Sequence, residues 1–165
     1  MIPVVLVDEL AGLIVKATDF YRYDDSQSEK KAITVYKQHI PERNIENEEF
    51  YPLIIVNTPL VEDIESETST ADITLVFGTY GEDECYAWRD LLNLMEHVRQ
   101  AILKQRTIAK KFRLVFPTKW ETLASQPCPF WIGYGTLKYT IGQPQEEPSN
   151  DNFNQIVWEK DVKQI

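Results

Sequence analysis

Reactive side chains are scarce in this 165-residue chain, which has two cysteines, two histidines and two methionines. Cys85 and Cys128 stand far apart, form no CxxC pair and have no histidine crowded beside them. They read as free thiols of a reducing compartment rather than as a disulfide or a metal site. His39 and His97 have no carboxylate, cysteine or second histidine at ligand spacing, so neither a metal centre nor a catalytic triad is built around them. No serine stands in a GxSxG elbow, and the GTYGEDE stretch that follows the best strand lacks the lysine of a phosphate-binding loop. Basic charge is also short. Seventeen Lys and Arg face 26 Asp and Glu, a net charge of −9, which disfavours a protein whose main task is to neutralise nucleic-acid phosphates. Long hydrophobic runs are missing as well. The N-terminal IPVVLV is followed at once by Asp8 and Glu9, has no basic region before it and is too short to cross a bilayer. Neither a signal peptide nor a membrane span is expected, and the chain is expected in the cytoplasm of the cell that makes it.

What is present is a core. With 43% hydrophobic residues the chain can support one self-contained domain and is too short for two comfortable ones. The clearest unit is Ala71–Tyr80 followed by Glu84–Lys104. The first alternates Ile73, Leu75 and Phe77 against Thr74, Val76 and Gly78, the period of a central strand with one face buried. The second places Trp88, Leu91, Leu92, Met95, Val98 and Ile102 three or four apart, on one face of a helix roughly 30 Å long. Asp83 and Glu84 at its start suit the free N–H groups and the positive end of the helix dipole, with a metal or general-base role as the competing reading.

Elsewhere the pattern predicts an N-terminal element over Ile2–Tyr21, at roughly helical spacing with Pro3 tolerable in a first turn; the β-branched start leaves a strand open there. A polar loop follows at Asp24–Lys31, then a strand over Ile33–Ile40 stopped by Pro41. The next strand, in YPLIIVNTP, is bounded by Pro52 and Pro59. Val61–Thr70 is acidic and long for a tight hairpin, and is expected to project as a mobile loop. Phe112–Glu121 and Phe130–Ile141 read as two more strands. The second sets Trp131, Gly133, Gly135, Leu137 and Tyr139 on one face, its glycines marking a bulge or a close approach. The domain is therefore placed at 1–141, with a linker and C-terminal arm over 142–165.

Charge is uneven along the chain. Arg99, Lys104, Arg106, Lys110, Lys111, Arg113 and Lys119 occur with no acid between Glu96 and Glu121. A helix C-terminus and a solvated strand face account for such a run. The functional reading is a docking surface, for a nucleic acid or, better supported, for the acidic run of a neighbouring copy. The candidate interface residues are Glu62, Asp63, Glu65 and Glu67 on one side and Arg106, Lys110, Lys111 and Arg113 on the other. Four tryptophans, eight tyrosines and seven phenylalanines are mostly core material, with Trp120, Trp131 and Trp158 as candidates for interface burial.

The strand AITVYKQHIPE, the aromatic-Pro-apolar run FYPLIIV, the acidic insertion, the apolar strand ending in GTY with its acidic tail, the long helix and the KKFRLVFPTKWE hairpin occur in an order that resembles small prophage proteins of the tail-completion or tail-terminator type. The likeness covers about residues 30–141. It implies an α+β fold with a mixed or mainly antiparallel sheet packed against two main helices. It also implies self-assembly into a ring, commonly hexameric, that caps the tail tube and joins it to the head, with tail-tube and head-completion proteins as partners and DNA passing through. No catalytic residue, cofactor or metal comes with it, and neither a membrane nor sequence-specific nucleic acid is involved. The expected locations are the host cytoplasm during assembly and the virion. Two rivals remain: a soluble adaptor or regulatory domain that uses the acidic loop on a basic partner, and an enzyme such as a nuclease built on dispersed carboxylates including Asp72 or Asp83.

Overall fold

The computed structural model describes residues 2–19, 32–40, 47–64 and 68–144. The element order is α1 (Ile2–Thr18), β1 (Thr34–Lys37), a 3-10 turn at Glu48–Phe50, β2 (Leu53–Asp63), β3 (Thr68–Tyr80), α2 (Trp88–Lys104), β4 (Thr107–Ile108), β5 (Phe112–Thr122) and β6 (Phe130–Gly142). The strands form one mixed six-stranded sheet, ordered β1-β2-β3-β6-β5-β4 and curled into a half-barrel, with two helices. β1 pairs with β2 in parallel and every other neighbour is antiparallel. This is the α+β architecture that the order of elements implies, with β3 central as its alternation requires.

One sheet face carries the core. Ala71, Ile73, Leu75 and Phe77 of β3 and Trp131, Leu137, Tyr139 and Ile141 of β6 point into a single cluster with Leu6, Val7, Leu10, Ala11 and Ile14 of α1 and Leu91, Leu94, Met95, Val98 and Ile102 of α2. Both helices therefore lie on the same side of the sheet. The N-terminal element is a helix over Ile2–Thr18, with Phe20 and Tyr21 outside the described residues; Val4, Val5 and Val15 face solvent and Leu6 and Val7 take the core positions. Thr18 ends it by donating from its hydroxyl to the carbonyl of Ile14 at 2.8 Å.

α2 departs from its expected face. Trp88 and Leu92 are 41% and 43% exposed, whereas Leu94 is fully buried. At 3.6 residues per turn, Leu91, Leu94, Met95, Val98 and Ile102 fall within an arc of about 100°, and Leu92 lies roughly 110° from its centre. The helix also begins later than Glu84. Asp83 and Glu84 sit in the preceding turn, where Asp83 Oδ1 accepts the N–H of Cys85 at 2.9 Å and its carbonyl accepts the N–H of Ala87 at 2.8 Å.

Two prolines do not act as strand ends. β2 runs on through Pro59 to Asp63, and β5 runs through Pro117 to Thr122. In each case the pairing register shifts there, between Asn57 and Leu60 and between Val115 and Lys119. A bulge has an unpaired position, so a residue without an N–H costs the ladder nothing at that point. Where it is described, up to Asp63 and from Thr68, the acidic segment is likewise strand rather than a projecting loop. Glu62 pairs with Thr70 and Asp63 with Ser69, so both arms of Val61–Thr70 extend the β2–β3 hairpin, because β6 reaches Gly142 and offers the far end of β3 a partner on its other side.

The strand glycines mark close approach by side chains. A Cβ on Gly135 would stand 2.9 Å from the Trp120 ring, and one on Gly133 would collide with the Met95 sulfur. Trp120 and Met95 thus lie directly on the backbone of β6.

Candidate self-assembly surface

The cross-strand register decides where the charged candidates stand. Glu62 of β2 is opposite Thr70 of β3, Thr70 is opposite Thr140 of β6, and Thr140 is opposite Arg113 of β5. These four residues form one row across the sheet. At about 4.8 Å per strand, Glu62 and Arg113 are roughly 14 Å apart at the same height, on the flanks of β3 and β6. The acidic and basic candidates therefore occupy opposite lateral sides of one end of the sheet.

On the acidic side Glu62, Asp63, Leu60, Val61 and Ile64 are all exposed. The Ser69 hydroxyl donates to Asp63 Oδ1, and the Lys138 ammonium lies 3.5 Å from Glu62 and 3.4 Å from Asp72. Asp72, then Glu62, holds that ammonium above its ordinary pKa. Such exposed pairs contribute little to stability, and they leave the outer side of the carboxylates open to solvent. Glu65 and Glu67 lie outside the described residues, as do Trp158 and all of the linker and arm beyond Pro144.

On the basic side the chain reverses between β4 and β5 through Ala109 and Lys110, with φ of 50° and 57°, and the N–H of Lys111 donates to the carbonyl of Ile108 at 3.0 Å. Two successive left-handed residues make the hairpin turn that matches strand twist. Lys110, Lys111 and Arg113 are exposed around it. The Arg106 guanidinium lies 5.0 Å over the ring of Phe116, itself 51% exposed, and its Nε donates to the carbonyl of Leu103. The Arg106 side chain is thus anchored close to the backbone while its charge remains at the surface.

The residues considered for chemistry have structural employment. Asp72 belongs to the Lys138 pair and Asp83 to the turn before α2. His97 Nε2 lies 2.7 Å from the carbonyl of Ala17 at the end of α1. Both thiols are free and exposed; desolvation, with Glu84 adding to it, pushes that of Cys128 up, away from a reactive thiolate. Among the described residues no three His, Cys, Asp or Glu side chains gather as a metal site would need, and no helix is long and apolar enough to cross a membrane.

Trp131 is a core residue, 8% exposed, whose indole donates to the carbonyl of Gly81 at 3.0 Å. Trp120 is half-buried on the helix side of the sheet. The exposed aromatic group is instead at the start of α2, where Arg89 lies 5.3 Å from the rings of both Tyr86 and Trp88. Helical spacing assigns Trp88 to the core, so periodicity alone conceals this group. The apolar residues Leu60, Val61 and Ile64 beside the acids are concealed in the same way, because an acidic composition reads as a loop. Compared with protein-family models and with curated proteins, the chain matches none.

Proposed function

We propose that this chain is a non-enzymatic structural subunit of the phage tail-terminator type, which joins copies of itself head to tail into a ring that caps a tail tube and connects it to the head. The observation that supports this reading is the Glu62–Thr70–Thr140–Arg113 row. A ring needs two different and complementary patches on each subunit, set at the same height so that rotation brings one against the other. Glu62 and Asp63 on one flank and Arg106, Lys110, Lys111 and Arg113 on the other meet that requirement. A patch pair staggered along the strands would favour a helical fibre.

The test is mass by light scattering over a series of protein and salt concentrations. Assembly is expected to weaken as salt rises, because contacts at an interface rim are screened. Reversing Lys110 and Lys111 to Glu is expected to break the ring with an unchanged circular dichroism spectrum, and adding Glu62→Lys with Asp63→Lys is expected to restore it. A monomer under every condition would overturn the ring and favour a soluble adaptor that carries its acids to a basic partner.

A further inference from the structure

We infer that the ring is closed by strand continuation: the outer edge of β2 over Leu60–Asp63 pairs with the outer edge of β4 in a second copy of this chain, so that one sheet runs from subunit to subunit. This rests on the ring reading and specifies how its contact is made.

The first observation is an uncovered edge. β1 pairs with β2 only over Leu53–Val56. At Gln38 the backbone turns left-handed, with φ of 67°, and leaves the sheet after its N–H has reached the carbonyl of Val56. The Gln38 side chain reaches the N–H of Thr58 at 3.4 Å. Beyond that point no strand among the described residues lies outside β2, so its outward N–H and C=O groups over Leu60–Asp63 have no ladder.

The second observation is that from Leu60 onward this edge has no lysine, proline or bulge to prevent pairing, its charges being the carboxylates of Glu62 and Asp63 alone. Open edges are normally blunted by lysine, proline or a bulge. The other long open edge among the described residues, the end of β5, has all three: Pro117, the register shift after Val115, and Lys119. β2 has its proline and bulge before Leu60, and from there to its end carries no basic residue. It presents Leu60, Val61 and Ile64 at 51%, 40% and 47% exposure. Two open edges treated so differently in one chain point to one that is shielded and one that is used.

The occupant follows from the opposite flank. β4 is the terminal strand there, is open on its outer side among the described residues, and stands at the height of the β2 end because it pairs with Phe112 and Arg113. Four successive antiparallel pairings separate the two strands, so β4 runs in the same direction as β2, and a copy related by rotation would add it in parallel. Arg106, Lys110, Lys111 and Arg113 surround β4 and would meet Glu62 and Asp63. Main-chain bonds would supply much of the affinity in this mode, and the charges the direction and register.

The experiment is amide hydrogen exchange on the full chain, dilute and assembled, beside light scattering of Leu60→Lys and Val61→Lys. Alternate amides within Leu60–Asp63 and that of Thr107, the residue of β4 whose N–H points away from β5, are expected to slow by at least tenfold on assembly. Each lysine variant is expected to keep the circular dichroism spectrum and to shift the mass towards monomer. A ring whose β2 edge exchanges as fast as in the monomer would overturn strand continuation and leave the ring intact. Protection already complete in the dilute monomer would mean that the chain's own residues cover the edge, and would overturn it as well. A lysine variant that fails to fold leaves the exchange result on the unaltered chain to decide.

Discussion

Leu92 and Leu94 lie two residues apart on α2 and invite the same substitution, yet the fold separates them completely. Leu94 is fully buried within the main cluster, and Leu92 is 43% exposed. Truncating Leu94 to Ala removes three carbons from the core, about 2.4 kcal/mol at about 0.8 kcal/mol each. The cavity left by incomplete collapse brings the total to about 3–4 kcal/mol. For a chain of this size each kcal/mol moves the melting temperature by about 2–4 °C, so Leu94→Ala should lower it by roughly 6–16 °C. Leu92→Ala loses little burial and gains helix propensity, and should stay within about 0.5 kcal/mol of the parent. Calorimetry of both variants at one protein concentration checks this, the fixed concentration being needed because assembly itself raises the melting temperature. Equal shifts would refute the orientation of α2 against the sheet.

Tyr139→Phe should be neutral or stabilising by up to about 1 kcal/mol, because the Tyr139 hydroxyl is buried with no partner among the described residues and pays desolvation without a hydrogen bond; a clear loss in thermal stability would contradict that environment. Gly135→Ala should destabilise by about 1–3 kcal/mol and expose Trp120, since the new methyl group displaces the indole from β6, and tryptophan emission should shift to the red. Stability should also fall in alkali. The hydrogen bond to Glu82, then that to Glu48, pushes Tyr80 up to about 12, and burial raises Tyr51 and Tyr139. A folded-state pKa above the unfolded one gives stability that is complete below about pH 10 and is lost as pH rises through the folded value. Denaturant midpoints that stay flat from pH 9 to 12 would rule this out.

Much of the architecture is legible because the relevant signals are periodic. β3 and β6 alternate over ten residues or more, and their interior partners satisfy both edges, so propensity, pattern and burial agree. What escapes is whatever depends on a partner strand or on a fine angle. Leu91 and Leu92 cannot both face one core, and only the packing of α1 and the sheet selects Leu91 with Leu94. Pro59 looks like a strand end until a bulge removes the need for its N–H. The stretch from Val61 to Thr70 has a loop's composition, and Glu62 and Asp63 within it form strand because the neighbouring ladder extends past them. The acidic and basic runs are plain in the sequence, whereas their common height is a property of register and could not be read before the sheet was known.

The place of β6 in the sheet order has a bearing on biosynthesis. β6 is the last strand described, yet it sits between β3 and β5, pairing with β3 along its whole length and with β5 between Gly133 and Thr140. A nascent chain that has not reached Gly142 can make the β2–β3 hairpin and α2, but the inner side of β3 then has no mate and the cluster around Tyr139 lacks its floor. Assembly of the core must wait for contacts more than fifty residues apart in sequence, which makes folding slow relative to local-contact domains and leaves an apolar, unpaired β3 in the interval. The bare edges of β2 and β3 are most vulnerable to wrong partners during that wait.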